Sequence, residues 1–242
     1  PGSISMKVEI WSDVACPFCY IGKHRFEEGL GRFEHRDDVT VEYRSFQLDP
    51  HAPRVPERDL FDMLARKFGI SREQAIQMNL RVAEQGREAG IDFRFGDVIP
   101  SNTFDAHRLI KFAGRHGKER ETVELLFEAY FTNGRNVADR ATLLEIAEQA
   151  GLDRAAAEAM LDSGAHADEV EADGLEASRL GARGVPFFVI NRKYGVSGAQ
   201  KGQVFLDALN RAWQDEHPLI MTGGAGAGEA DGCEGGSCAP NA

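Results

Sequence analysis

Cysteine is scarce in this chain: four residues in 242. That is far below the density of a disulfide-scaffolded domain, so an apolar core has to hold the fold. Long apolar runs are missing as well. No stretch approaches the ~18 consecutive apolar residues that a membrane-spanning helix needs. Positive charge is in deficit, with 28 Lys and Arg against 39 Asp and Glu and a net charge of −11. Phosphate backbones and anionic lipid surfaces are gripped by clustered Lys and Arg, so nucleic acid and membrane are excluded as general partners. A leader with a basic, then apolar, then small-residue pattern is also absent. Met6 reads as the native start, directly before the first strand pattern, and the expected location is cytoplasmic. No cofactor or metal is expected.

What is present is the arrangement of the four cysteines. They form two close pairs, Cys16/Cys19 and Cys233/Cys238, with none between. A structural framework would scatter them across the core. Lys7 to Ser12 alternates apolar and polar like a strand and runs into Cys16-Pro17-Phe18-Cys19, after which Ile21, Phe26 and Leu30 suggest a helix stopping near Gly29 or Gly31. A cysteine at a helix start faces unpaired backbone N–H groups, which stabilise its thiolate. Cys16 is therefore the candidate nucleophile. Cys19, one helical turn on and more covered, is the candidate resolving thiol. The bland alternative is half of a zinc site, which needs two further ligands that His24 alone does not supply.

Val39 to Phe46 alternates again and reads as a second strand, parallel to the first through a βαβ connection. From Glu57 to Leu161 only helix signals occur, and they predict about five helices packing mostly on themselves. Ser71-Arg-Glu-Gln74 is a capping box. Ser101 or Asn102 can cap the helix that carries Ala106, Leu109, Ile110 and Ala113, and Asp153 a short helix ending near Asp162. Ser163 to Arg183 reads as one charged helix stopped by Gly184. Val185-Pro186-Phe187-Phe188-Val189-Ile190 then reads as a strand, Asn191 to Lys193 as a turn, Tyr194 to Ser197 as the return strand, and Gly198-Ala-Gln200 as the opening of a last helix. Beyond Gly223 the chain is Gly-rich and acidic with no large apolar residue, so it is expected to stay mobile.

Ser12-Asp-Val-Ala-Cys-Pro-Phe-Cys-Tyr-Ile-Gly22, Gly184-Val-Pro-Phe-Phe-Val-Ile-Asn191 and Gly195-Val-Ser-Gly-Ala-Gln200, in this order of elements, resemble the DsbA family and within it the FrnE-like branch. The resemblance covers nearly the whole chain from Met6. It implies an α/β thioredoxin fold, built from residues 6–50 and 163–217, with an all-helical insertion at 51–162 and a Gly-rich tail at 218–242. It also implies thiol–disulfide chemistry. Pro186 is then a cis-proline facing the dithiol. Val185, Pro186, Pro17 and Phe18 are then the substrate-contacting residues. Phe18 stands where that branch usually carries Trp, and the pair between the cysteines helps set the reduction potential. Disulfide-containing proteins are the implied substrates, and a thiol reductant such as thioredoxin or glutathione the implied partner.

Cys233 and Cys238 are assigned a possible electron-relay role. They enclose four residues, and Cys233 lies fifteen positions beyond Pro218. A Gly-rich coil of that length averages roughly 20 Å and extends to about 50 Å, enough to reach the Cys16 region. Asp13 is read either as a proton acceptor or as a cap for the loop or helix start, and His107 as a lone histidine on a helix that covers the site. The acidic run from Asp168 to Glu171 reads as a solvated face. Two other function classes compete with disulfide exchange. One is a glutathione-dependent small-molecule transferase or isomerase of the kappa-class type, which uses serine at the place of Cys16. The other is a non-enzymatic holdase chaperone or metal-binding redox sensor.

Overall fold

A computed structural model describes residues 5–222; Cys233 and Cys238 lie outside the described residues. The first strand, β1 (Met6–Ser12), is buried at nearly every position rather than on alternate ones, because it is central and covered on both faces. β2 (Val39–Ser45) pairs with it in parallel, in register from Met6 opposite Val39 to Ser12 opposite Ser45. On the other side β3 (Phe187–Ile190) runs antiparallel to β1, and β4 (Tyr194–Ser197) antiparallel to β3. The sheet order is β2-β1-β3-β4.

The parallel pair is joined by α1 (Pro17–Gly31), which begins with the dithiol. Six α-helices follow β2, where about five were expected: α2 (Leu60–Phe68), α3 (Arg72–Glu88), α4 (Phe104–Arg115), α5 (Glu119–Phe131), α6 (Arg140–Gln149) and α7 (Arg154–Asp162). The capping box forms at Ser71 and Gln74. The chain then returns through α8 (Ala167–Arg179) to β3, and α9 (Gly202–Glu216) closes the fold against α1. The order and pairing are those of a thioredoxin fold carrying a helical insertion.

Two departures have identifiable causes. α8 begins at Ala167, not Ser163, because the Arg108 guanidinium donates to the carbonyls of Met160, Ser163 and Ala165 and holds residues 163–165 as a loop. It ends at Arg179 because Gly181 takes φ +84° and lets the Ala182 N–H reach back to the Ala177 carbonyl at 3.0 Å, ahead of the expected stop at Gly184.

The insertion packs mostly on itself, α4 against α5, α6 and α7 and α2 against α3, and it also shares a seam with the sheet domain. One apolar core runs from the sheet into the helices. Tyr20 of α1 stacks on Phe127 of α5, with ring centres 4.8 Å apart and planes 7° from parallel. Phe26, Phe188 and Phe205 fill the space between α1, β3 and α9. Gly29 is what lets α1 and α9 approach, since a Cβ there would lie 2.5 Å from the Gly202 carbonyl oxygen.

The second half of the outer edge of β2 is covered by side chains. Glu119 accepts the Tyr43 N–H at 2.7 Å, Lys111 donates to the Tyr43 carbonyl at 3.2 Å, and Asp173 accepts the Ser45 N–H at 2.9 Å. Lys111 and Asp173 also pair with each other.

Candidate active site

The turn Asp13–Val14–Ala15–Cys16 delivers the first cysteine to α1, closed by the Cys16 N–H on the Asp13 carbonyl at 3.1 Å. Cys16 is the N-cap of α1 in an extended conformation, and Pro17 opens the helix, where its missing N–H has no partner to lose. The Cys16 sulfur does what a capping oxygen normally does: it accepts the Cys19 N–H at 3.2 Å. That donor, together with the helix N-terminus, stabilises negative charge on this sulfur. Both cysteines are free thiols and both are buried, Cys16 at 5% exposure and Cys19 at 2%. Burial pushes the Cys19 thiol well above its ordinary value, and the adjacent Cys16 adds to this; the Asp13 backbone and the Ser12 hydroxyl pull the other way. The two sulfurs thus occupy unlike environments, one accepting a backbone N–H at the helix mouth and one whose thiol is pushed up by burial and by its neighbour.

The segment before β3 completes the site. The Val185–Pro186 bond is cis. The Val185 carbonyl lies 3.8 Å from the Cys16 sulfur, and the Pro186 carbonyl accepts the Gly198 N–H at 2.9 Å. No hydrogen bond engages the Val185 N–H among the described residues. Gly22 allows this approach, since a Cβ there would meet Pro186 Cγ at 2.9 Å. Phe18 is 41% exposed between the cysteines. Phe46 and Val185 pack on one buried cluster with Trp11, Phe187 and Val189. Beyond Phe46 a groove of about 720 Å³ opens, lined by Pro50, Asn102, Phe104 and Leu175 among others.

Two polar clusters support the site, and neither was legible as such in the sequence. The first centres on Asp13, which caps neither its own turn nor α1. Its carboxylate accepts from the Thr103 hydroxyl at 2.8 Å, His107 Nε2 at 2.9 Å and the Leu48 N–H at 2.9 Å. Thr103, the N-cap of α4, spends its hydroxyl on Asp13 rather than on its helix. Asn102 serves α4 instead by accepting the Phe104 N–H at 2.9 Å.

The second cluster lies further along α1. The Lys23 ammonium, buried at 2%, pairs with Glu124 at 2.6 Å and Glu27 at 2.8 Å. His24 binds Glu124 through Nε2 at 2.7 Å and the Ala89 carbonyl through Nδ1 at 2.9 Å. Both partners are acceptors, so both ring nitrogens must carry protons and the imidazole is cationic. Burial opposes the charge on Glu124, but hydrogen bonds and charges from His24 and Lys23 outweigh it and bring the carboxyl down to about 2. Burial likewise opposes the imidazolium, and Glu124 overrides it, so His24 sits above its ordinary value. His24 is therefore committed to an ion pair, and no cluster of metal-ligating side chains occurs among the described residues. Of the acidic run, Asp168 and Glu171 are exposed and Glu169 is half-buried against His166 and Arg115, while Glu171 lines the groove beyond Phe46.

Comparisons with known proteins bear on the family and the fold. The chain is 42% identical to a probable DsbA oxidoreductase from Streptomyces coelicolor, over 94% of this chain and 100% of that one, with a TM-score of 0.83. It is 27% identical to the uncharacterized protein YwbO of Bacillus subtilis, over 86% of this chain and 97% of the relative. The cytosolic disulfide reductase DsbM from Pseudomonas aeruginosa, solved with GSH, shares the fold at 16% identity and a TM-score of 0.62, covering 86% and 99% of the two chains. The family model for the DSBA-like thioredoxin domain matches residues 7–210, and the chain belongs to that family.

Proposed function

We propose that this chain catalyses thiol–disulfide exchange on protein disulfides, with Cys16 as nucleophile and Cys19 as resolving thiol. The observation that carries the reading is the contrast between the two sulfurs. Both sulfurs are buried, but Cys16 receives a backbone N–H at 3.2 Å at the mouth of α1, while the Cys19 thiol is pushed well above its ordinary value. The Cys16 thiolate attacks one sulfur of a substrate disulfide. That S–S bond breaks, a Cys16–substrate disulfide forms, and the departing thiolate takes up a proton. Cys19 then gives up its proton and attacks the Cys16 sulfur. The Cys16–Cys19 disulfide forms and the second substrate thiol is released. A raised Cys19 pKa delays this second step, which leaves time for another substrate thiol to attack instead and isomerise the substrate. A thiol reductant of the thioredoxin or glutathione kind returns the pair to the dithiol.

The unengaged Val185 N–H and the carbonyl facing Cys16 suit an extended polypeptide, which pairs through its backbone. Pro17, Phe18 and Pro186 give that contact an apolar frame, and the groove beyond Phe46 leaves room for the chain on one side. In a reducing compartment, reduction and isomerisation are the favoured directions. Cys233 and Cys238 are assigned to relay electrons between this site and the reductant. A kappa-class type of reaction is disfavoured because cysteine, not serine, stands at position 16.

The test is insulin reduction together with refolding of scrambled ribonuclease, for the wild type, Cys16→Ser and Cys19→Ser. Cys16→Ser should abolish both activities, and Cys19→Ser should accumulate a mixed disulfide visible by non-reducing electrophoresis. Full activity in Cys16→Ser would sink the proposal.

A further inference from the structure

Asp13 is 1% exposed and sits in the turn that presents Cys16, yet the exchange steps above make no use of it. Its three hydrogen bonds run to stretches of chain far apart in sequence. Thr103 and His107 stand at the start of α4, 90 and 94 residues away. Leu48 belongs to the loop after β2, 35 residues away. One carboxylate therefore ties the active-site turn to the helical insertion and to the wall of the groove. The same residue, through its carbonyl, closes the turn whose last member is both nucleophile and helix cap.

We infer that Asp13 is a positioning residue for Cys16, and that the insertion, acting through Thr103 and His107, holds the Cys16 sulfur against the N–H groups of α1. This rests on the disulfide-exchange reading above for its purpose, but not for its test. Charge and position predict opposite signs. A carboxylate near a thiol disfavours the thiolate, so a purely electrostatic Asp13 would, when removed, leave Cys16 more reactive. A positioning Asp13 does the reverse. Without it the turn relaxes, the 3.2 Å contact from the Cys19 N–H lengthens, and the thiolate loses its donor. The three donors on the carboxylate partly offset its charge. Tyr130 on α5 also feels this carboxylate, its phenol pushed up by burial and by the Asp13 charge.

The experiment is the pH dependence of Cys16 alkylation by iodoacetamide in the full reduced chain, with the label located by peptide mass spectrometry. Thr103→Val, which touches neither cysteine, should slow alkylation at pH 7 by about threefold or more, and Thr103→Ser should restore the wild-type rate. His107→Leu should slow it in the same direction. Asp13→Ala should slow it most; if that variant fails to fold by circular dichroism, the Thr103 pair decides. A folded Thr103→Val with a wild-type profile, or an Asp13→Ala that reacts faster, would overturn the inference. A chain that shows the alkylation shift but reduces no protein disulfide would refute the proposed function and leave this inference standing.

Discussion

Glu124→Gln tests whether the ion cluster behind α1 is a structural bolt. In the native chain this carboxyl is held at about 2 against an ordinary 4.5. The difference, 4.5 − 2, is about 2.5 units, and at ~1.36 kcal/mol per unit it corresponds to roughly 3.4 kcal/mol. The Glu124 side chain is 30% exposed, so solvent screening reduces this to about 2 kcal/mol. The sign follows from the direction of the shift. A depressed carboxylate stabilises the fold in full above about pH 4.5, and that contribution is lost as pH falls from about 4.5 towards 2. Glutamine keeps the shape but removes the charge, and leaves buried Lys23 with Glu27 alone. Urea denaturation of the wild type and the variant across pH 3–7 should show a gap of about 2 kcal/mol at neutral pH, narrowing steadily below pH 4.5. In melting temperature the neutral gap amounts to about 4–8 °C for a chain of this size. A gap below ~0.5 kcal/mol at pH 7, or one that is constant with pH, would refute the assignment of the cluster as a stabilising bolt.

Three further outcomes are expected. His24 is raised, so its contribution is present in full below about 6.5 and is lost as pH rises through its folded value; His24→Gln should therefore destabilise more at pH 6 than at pH 9 in the same denaturation assay. Gly29→Ala drives a methyl into the Gly202 backbone and should cost about 2–3 kcal/mol by separating α9 from α1, read by urea titration; a neutral result would mean that the two helices slide freely. The Cys233→Ser, Cys238→Ser double variant should retain Cys16 alkylation but turn over more slowly with a protein reductant, and unchanged turnover with every reductant would remove the relay role.

The order of elements and the site's centre were readable because they rest on local signals. Apolar alternation marked β1 and β2, the Ser71–Gln74 box marked α3, and Cys-Pro-Phe-Cys at a strand-to-helix junction marked the nucleophile. What escaped the sequence was contact between distant residues. Nothing local tells that Thr103 will give its hydroxyl to Asp13 instead of capping α4, or that His24 will bind Glu124 a hundred residues away. The start of α8 was misplaced for the same reason: an arginine from α4 holds residues 163–165 open. The seam between the insertion and α1 escaped in the same way. A wide stripe such as Val123, Leu126, Phe127 and Tyr130 shows that a helix face is buried, but not that its partner will be Tyr20 on α1.

The covered half of the β2 edge bears on how the protein is made. The groups that cover it arrive late: Lys111 lies 68 residues beyond Tyr43, Glu119 76 residues beyond it, and Asp173 128 residues beyond Ser45. During synthesis the strand leaves the ribosome with its outward amides bare, open to pairing with any neighbouring chain until those side chains emerge. The shield is in place only once α8 has docked, so the newborn polypeptide passes through a vulnerable interval that the finished molecule does not show.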